Sequence, residues 1–83
     1  MTVIVEIRPK EGILDPQGRA VRNALQTLGY NRIEEVEVGK LIRLELQTDD
    51  PAEAKRIAEE AAEKLLYNSN VEQYRILLPG ETL

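Results

Sequence analysis

The amino-acid sequence predicts an α+β fold in two layers, an antiparallel sheet with two helices on one face. Two observations carry this prediction. Four short segments alternate apolar and polar residues with the two-residue period of a strand, and two longer segments repeat apolar residues at helical spacing. Their order is βαββαβ, which is the order of a ferredoxin-like sandwich. A chain of 83 residues with this pattern is expected to form a single domain over 1–83, with 79–83 as a short C-terminal tail.

The first strand is predicted over 2–8. Val3, Val5 and Ile7 share one face of this segment, and Pro9 ends the alternation. We therefore expect a half-buried strand followed by a loop.

The first helix is predicted over 16–28. Asp15 has the short side-chain acceptor of an N-cap, and Pro16 suits the first helical position because its missing N–H is not needed there. Gly12 and Gly18 flank this start, and each is expected to mark a backbone that another segment approaches closely. The apolar stripe expected to face the sheet consists of Ala20, Val21, Ala24, Leu25 and Leu28.

Two central strands are predicted over 33–38 and 41–48. Gly39-Lys40 separates them, and a two-residue Gly-X link is typical of a type II′ hairpin. These strands are therefore expected to be antiparallel neighbours. The same dipeptide lacks the glycine spacing and the hydroxyl residue of a phosphate-binding loop, which favours the turn.

The second helix begins with Asp50 as N-cap, Pro51 at the first position and Glu53 placed to complete a capping box. Its apolar stripe extends to Leu66, and the segment 71–78 returns to the pattern of a strand. A helix and a final strand are therefore predicted here.

With both helices on one face, the other face of the sheet is left uncovered. Ile4, Leu41 and either Tyr74 or Leu77 are expected on or near it. An open apolar face in a small domain usually meets another subunit. A homo-oligomer, dimer or tetramer, is therefore expected.

The composition excludes several classes of function. The chain has no cysteine and no histidine, so it lacks a thiol nucleophile, the usual general base near neutral pH and the commonest metal ligands. No metal or cofactor is expected. The net charge of −4 and the lack of aromatic residues in the central strands argue against an RNA-binding domain. Since the chain has no apolar run of about 20 residues and no signal-peptide pattern, we expect no membrane partner and a cytoplasmic location.

Five motifs follow one another at characteristic spacing between Val3 and Leu78. They are Lys10 to Gly18, Ala24-Leu25 with Leu28-Gly29-Tyr30, Val38-Gly39-Lys40, Lys64-Leu65-Leu66, and Glu72-Gln73-Tyr74-Arg75. Together they resemble the PurS family, the small subunit of phosphoribosylformylglycinamidine (FGAM) synthase. The turn 68–70 departs from the family pattern, because relatives often carry a proline after the asparagine. The tail after Leu78 lies outside the resemblance.

The resemblance implies a non-catalytic subunit of an ATP- and glutamine-dependent C–N ligase of purine biosynthesis. In the divided enzyme of bacteria and archaea, a large synthetase subunit activates the formylglycinamide ribonucleotide amide. A glutaminase subunit with a cysteine nucleophile releases ammonia, and PurS-like dimers bridge the two and help the ammonia pass. The lack of cysteine and histidine agrees with this division of labour.

A bridging subunit has contact residues rather than catalytic ones, and we expect them around the first corner, the first helix and the predicted hairpin. The candidates are Lys10, Glu11, Gln17, Arg19, Arg22, Asn23, Gly39 and Lys40. Arg19 and Arg22 are favoured because arginine is enriched at interfaces, whereas Asp15 is assigned to capping.

An alternative from another class is a dimeric regulatory module, because ferredoxin-like pairs often hold amino acids or nucleotides between subunits. It would also explain Gly12 and Gly18. A thermal shift with glutamine, ATP or purine-pathway metabolites separates the two hypotheses, since a binding module responds to its ligand and an adaptor does not.

Overall fold

The computed structural model describes residues 1–82, which contain three strands, two α-helices and a π-helical turn. In chain order these are β1 (Thr2–Pro9), α1 (Pro16–Thr27), β2 (Lys40–Glu45), α2 (Pro51–Ala61), the π-helical turn (Ala62–Leu66) and β3 (Glu72–Leu77). The predicted α+β class, with an antiparallel sheet and two helices, is confirmed. Neither helix in this range is long and apolar enough to cross a membrane.

The sheet is built around β1. Both of its neighbours run antiparallel to it, and the strand order is β2-β1-β3. Val5, near the middle of β1, lies opposite Ile42 on one side and Ile76 on the other. Because directly opposed residues share a face, these three side chains define the face that α2 covers.

The core lies between this face and α2. Its most deeply buried members are Val3, Val5 and Ile7 from β1 with Ala54, Ala58 and Ala62 from the second helical segment. The three alanines recur every four residues, so they form one stripe, and their small side chains let the helix backbone approach the sheet. α2 lies over β1 and β3. The apolar side chains of Ile42 and Leu44 in β2, and of Leu46 just after it, stay only half-buried.

The segment 33–38 forms no strand in the structure, so the predicted hairpin at Gly39-Lys40 is wrong. β2 begins at Lys40, opposite Ile7 of β1, and Gly39 lacks the positive φ that a glycine takes at the first central position of a type II′ turn. The chain passes through Gly39 into β2 without folding back on it.

The register explains why the hairpin does not form. A two-residue turn would place Val38 opposite Leu41 and Glu37 opposite Ile42. Ile42 belongs to the face that α2 covers, so the turn would direct Glu37 toward the core and Val38 toward the open face. A shift of one residue exchanges the faces of a whole strand, and here the short turn imposes the unfavourable register.

α1 does not pack on the sheet of its own chain. None of its residues belongs to the core cluster, and Gly18 is its one buried residue. The stripe expected to face the sheet is exposed, since Val21 is 42% exposed and Leu28 73%. The prediction that the helices cover one face therefore holds for α2, while α1 lies apart. The molecule is accordingly elongated, with extents of 48 × 27 × 15 Å.

Asp15 connects α1 to the segment 33–38. One carboxylate oxygen accepts a hydrogen bond from the Gly18 N–H at 3.0 Å, which confirms the predicted N-cap. The other oxygen accepts from the Val38 N–H, also at 3.0 Å. A single side chain thus fixes both the start of the helix and the end of the extended segment.

Two further contacts hold the helix against this segment. The Gln26 side chain donates to the Ile33 carbonyl at 3.3 Å, and a Cβ on Gly18 would collide with the Val36 carbonyl oxygen. The close approach expected at Gly18 is therefore confirmed, whereas Gly12 has open space around it and a φ of +77°, so it serves a turn instead. We call residues 15–38 the α1 arm.

α2 begins as predicted, with one change in its capping. Asp50 accepts from the Ala52 N–H at 3.1 Å. Glu53 does not reach back to the Asp50 N–H, because that group donates to the Thr48 hydroxyl at 3.1 Å and the hydroxyl in turn donates to Glu53 at 3.2 Å. Thr48 therefore stands between the two members of the predicted capping box.

The π-helical turn brings Glu63 to two tyrosines. Tyr74 donates to the Glu63 carboxylate at 2.9 Å and Tyr67 at 3.3 Å, and the two rings meet edge to face with centroids 4.7 Å apart. Burial, together with the hydrogen bond to Glu63, raises the pKa of Tyr74 to about 12. These contacts tie the turn to β3.

The sheet face away from α2 is less apolar than the sequence suggests. Tyr74 lies on the helix-covered face, and Leu77 lies on the open face but is buried. Ile4 is half-buried, which leaves Leu41 as the exposed large apolar side chain of this face. Ion pairs also lie on it, Glu6 with Arg75 and Arg43 with Glu45. Exposed large apolar side chains lie elsewhere too, among them Val21 on α1 and Leu28 at its C-cap.

Gly18→Ala is expected to destabilise the protein, although alanine is the better helix former by about 1 kcal/mol. The added methyl group meets the Val36 backbone, which cannot move aside as a flexible side chain would. We expect the free energy of unfolding to fall by about 1–3 kcal/mol, measured by chemical denaturation. Gln17→Ala, at an exposed neighbouring position, is the control and should have little effect. A more stable Gly18→Ala variant would contradict the contact.

Asp15 is expected to make stability depend on pH in the acid range. Its hydrogen bonds from Val38 and Gly18 lower the pKa of the carboxyl below its ordinary value of 3.8. A carboxyl whose pKa is lowered by folding stabilises the fold above its unfolded pKa, and this contribution is lost as the pH falls through the folded pKa. Thermal melts from neutral pH down to pH 2 should show a smaller acid-dependent loss in Asp15→Asn. Asp49→Asn, at an exposed position, should behave as wild type.

Candidate functional site

A groove of about 820 Å³ opens between the end of β1 and the α1 arm. Its walls come from the end of β1 with the loop that follows, from the first turns of α1, and from the extended segment of the arm. The lining residues are 8–15, Gly18, Arg19, Arg22 and 35–37. We call this feature the arm groove.

The local sequence explains why these walls meet. Pro9 is the last residue of β1, and Gly12 supplies a left-handed backbone conformation within the loop. The Ile13 N–H donates to the Lys10 carbonyl at 3.3 Å and closes the turn. Asp15 then fixes the direction of α1 by its two hydrogen bonds.

The arm groove brings together half of the candidate contact residues. Those in its lining are Lys10, Glu11, Arg19 and Arg22. Gln17 and Asn23 are exposed on α1 but outside the lining, and Gly39 and Lys40 line a separate depression of about 210 Å³ beside β1 and β2. The predicted site is therefore divided between two neighbouring places.

Lys10 is largely engaged within the chain. Its ammonium group donates to the Ser69 carbonyl at 2.6 Å, and its backbone N–H donates to the Val71 carbonyl at 2.9 Å. Lys10 therefore anchors the first loop to the approach of β3.

Arg19 and Arg22 lie one turn apart on α1. Neither arginine joins an ion pair within residues 1–82. In the part of the chain that the structure describes, the Arg22 side chain donates one long hydrogen bond of 3.4 Å to the Asn23 side chain, and its Nε atom is shielded from solvent without a partner. Because a guanidinium group carries five N–H donors, most of the donors of this side chain remain available.

The arm groove contains charges of both signs in equal number. The cationic residues are Arg8, Lys10, Arg19 and Arg22, and the carboxylates are Glu11, Asp15, Glu35 and Glu37. Arg8 and Glu37 form an ion pair of 2.8 Å, which raises the pKa of Arg8. Glu11 and Glu35 join no ion pair among the residues that the structure describes. Free groups of both signs fit a protein surface better than a simple anion.

Gly39 and Lys40 have structural roles at the start of β2. A Cβ on Gly39 would lie 2.5 Å from the Ile7 carbonyl oxygen, so only glycine fits this close approach of two backbones. Lys40 lies 3.9 Å from the Glu72 carboxylate, a long ion pair between the two outer strands.

The arm groove also contains residues that sequence reasoning missed. Leu14 is 65% exposed at its rim, and Ile13 lies beside it. The sequence does offer a signal for this pair, because two adjacent apolar residues stand in an otherwise polar loop. No such signal exists for Glu35 and Glu37, because the alternation around them predicts a hairpin strand.

The arm groove has groups suited to binding another molecule. Its lining residues include no nucleophile with an adjacent base. Its side chains offer ion pairs, hydrogen bonds and a small apolar rim. Across residues 1–82, no three potential metal ligands converge on one point. This chemistry suits contact with a macromolecule that carries charges of both signs.

A family model, a curated relative and solved structures all match this chain to the same family. The family model for PurS, phosphoribosylformylglycinamidine (FGAM) synthase, matches residues 2–80. The PurS subunit of phosphoribosylformylglycinamidine synthase from Bacillus subtilis is 40% identical over 73 residues, which are 88% of this chain and 86% of that protein. The crystal structure of Methanocaldococcus jannaschii PurS superposes with a TM-score of 0.82 at 34% identity and covers 92% of both chains. A chain in the structure of PurLQS from Thermotoga maritima gives 0.83 at 25% identity, with 92% of this chain and 93% of that chain covered.

Proposed function

The chain belongs to the PurS family of phosphoribosylformylglycinamidine synthase, and on that premise we propose that it is the non-catalytic small subunit of this enzyme of de novo purine biosynthesis. It bridges the glutaminase and large synthetase subunits and supports the passage of ammonia between them. It works in the cytoplasm, without a cofactor of its own.

The arm groove is the observation that carries this proposal. Within residues 1–82, neither Arg19 nor Arg22 joins an ion pair, and the carboxylates of Glu11 and Glu35 join none either. Charged groups of both signs that meet complementary charges on another protein set the partner and its orientation at an interface. The groove therefore supplies the chemistry that docking to a larger subunit requires.

A subunit of this kind acts through differential binding. It binds more tightly to the arrangement in which glutaminase and synthetase are aligned than to one in which they are not. The difference between these two binding free energies sets how far the population shifts toward the aligned arrangement. Ammonia transfer benefits because alignment shortens the open path between the two active sites. No side chain of this chain has to take part in a covalent step, which agrees with the absence of cysteine and histidine.

Self-association is part of the proposal, and the α1 arm supports it. Val21 on α1 and Leu28 at its C-cap are exposed, and they belong to the stripe whose helical spacing would normally face a core. A small domain that exposes such a stripe is stabilised when a second subunit covers it. We therefore assign the contact between copies to α1 rather than to the open face of the sheet.

Replacing both Arg19 and Arg22 by alanine is expected to impair assembly and leave folding intact. Surface substitutions change stability by no more than about 0.5 kcal/mol, whereas a charge-assisted contact at an interface is worth about 1–2 kcal/mol. In the reconstituted enzyme, glutamine-dependent turnover should fall while turnover with added ammonia survives, because free ammonia bypasses the glutaminase.

The control for this pair is Lys55→Ala with Lys64→Ala, which removes the same charge from exposed positions of the second helical segment. It should leave both routes unchanged. If the arginine variant also keeps both routes, the partner surface lies elsewhere, and Gly39-Lys40 becomes the next position to test.

The isolated protein is expected to be at least a dimer at tens of micromolar, measured by light scattering. Val21→Asp with Leu28→Asp should lower the measured mass toward the monomer, since two carboxylates cannot be buried in an apolar contact without a large desolvation cost. Leu41→Asp, on the open face of the sheet, is the matched control. A mass that falls with Leu41→Asp and not with the α1 variant would place the contact on the sheet.

A further inference from the structure

β3 is an outer strand of the sheet and pairs with β1 alone, so one of its edges is free. Just before β3, the Lys10 N–H donates to the Val71 carbonyl directly opposite it. Hydrogen-bonded pairs alternate with non-bonded pairs along an antiparallel ladder, so every second residue of β3 directs its backbone groups to β1. These residues are Gln73, Arg75 and Leu77. The residues between them direct their backbone groups to the free edge.

Both ends of this free edge are closed by the chain itself. At the first end, the Glu72 N–H donates to the Asn68 carbonyl at 2.7 Å. At the last end, the Leu78 N–H donates to the Glu81 carboxylate at 2.7 Å, and the Leu78 carbonyl accepts from the Glu81 N–H at 3.0 Å. Strand addition is therefore restricted to the middle of β3.

The middle of the edge consists of Tyr74 and Ile76, which we call the β3 edge window. Within residues 1–82, no hydrogen bond engages the outward N–H and carbonyl groups of these two residues. Natural edge strands are often protected by lysine, proline or a bulge, and β3 has neither lysine nor proline and an unbroken register with β1. The window can therefore pair with an extended segment of another chain.

The helix side of the β3 edge window is acidic. The Glu63 carboxylate accepts from the Tyr74 hydroxyl at 2.9 Å, and Glu59 precedes Glu63 by one helical turn. Burial, the hydrogen bond to Glu63 and the charge of Glu59 together raise the pKa of Tyr74, so both carboxylates lie near this side chain. Neither glutamate joins an ion pair among the residues that the structure describes. Side chains of an added strand opposite Tyr74 and Ile76 would share the helix-covered face and meet these carboxylates.

We propose that the β3 edge window binds an extended, basic segment of a partner protein, which joins the sheet as an additional strand. Backbone hydrogen bonds provide the pairing, and lysine or arginine side chains on the helix side meet Glu59 and Glu63. This inference rests on the proposed function, in which the partner is one of the two larger subunits. A bridging subunit needs a second contact surface, and the window shares no residue with the arm groove.

A second copy of β3 is a poor occupant of the same window. The two-fold register that uses all the free groups of both copies places Arg75 opposite Arg75 of the second copy, and like charges directly opposite each other are destabilising. The same pairing would also bring the Glu59 and Glu63 carboxylates of both copies to one seam. A basic segment of a different protein is therefore the complementary occupant.

Hydrogen exchange of the wild-type protein tests the window. In the isolated chain, the amides of residues 74 and 76 should exchange freely while those of residues 73, 75 and 77 are protected. Each larger subunit is then added in turn, and one of them should protect the amides of residues 74 and 76 about tenfold or more. Lack of protection by either subunit would overturn the proposal. Protection that instead rises with the concentration of the isolated chain would assign the edge to a second copy and would also overturn it.

Glu59→Lys tests the charge of the occupant, and Glu60→Lys is the matched control at the next position, where the side chain is exposed and pairs with Arg56. The affinity for the protecting subunit should fall about fivefold or more in Glu59→Lys and change little in Glu60→Lys. Equal affinities for the two variants would contradict a basic occupant. If Glu59→Lys does not fold, the wild-type affinity decides, because a contact between a basic segment and carboxylates must weaken as salt is added.

The assay of the assembled enzyme keeps this inference separate from the proposed function. Full glutamine-dependent turnover in a complex whose amides 74 and 76 stay unprotected would overturn the strand addition alone. Protected amides in a complex that never shows glutamine-dependent turnover would overturn the function alone.

Discussion

The two hydrogen bonds that Asp15 accepts determine the arrangement of the rest of the chain. One of them starts α1, as any N-cap does, and the other holds the end of the extended segment at Val38. Because both bonds come from one carboxylate, the helix and the segment keep a fixed relation to each other. The arm groove exists only because this relation is fixed, since its walls are the loop before Asp15, the first turns of α1 and the segment that Asp15 holds.

The core of one chain is small because α2 covers only part of the sheet. The stripe of alanines brings α2 close to β1, while the apolar side chains of β2 stay half-buried and α1 lies outside the core. A chain of this size buries only about 60–65% of the surface that its unfolded form exposes. Leaving an apolar stripe uncovered therefore removes a considerable part of the free energy that burial would supply. Under the proposed self-association, covering α1 adds to the stability of the fold, and association and folding are linked.

The sequence predicted what adjacent residues determine and missed what distant residues determine. Asp15, Asp50 and the alternation of β1 act within a few residues, and the structure shows each of them as expected. Whether 33–38 forms a hairpin strand depends on the register at Gly39, where the Ile7 carbonyl oxygen lies close to the backbone. No local sequence pattern indicates that contact. The same limit applies to the site. Arg19 and Arg22 could be found as a pair on the polar face of a predicted helix, whereas Glu35 and Glu37 join the groove only through the path of the arm.

In the proposed assembly, the two faces of α1 serve two kinds of binding. Arg19 and Arg22 face the arm groove, whereas Val21 and Leu28 belong to the apolar stripe. Apolar burial supplies most of the free energy of a permanent contact, while charges of both signs select a partner and are weakened by salt. A subunit that joins its own copies firmly and larger partners selectively needs both surfaces. Since they occupy different sides of one helix, a substitution on either side can change one contact and leave the other in place.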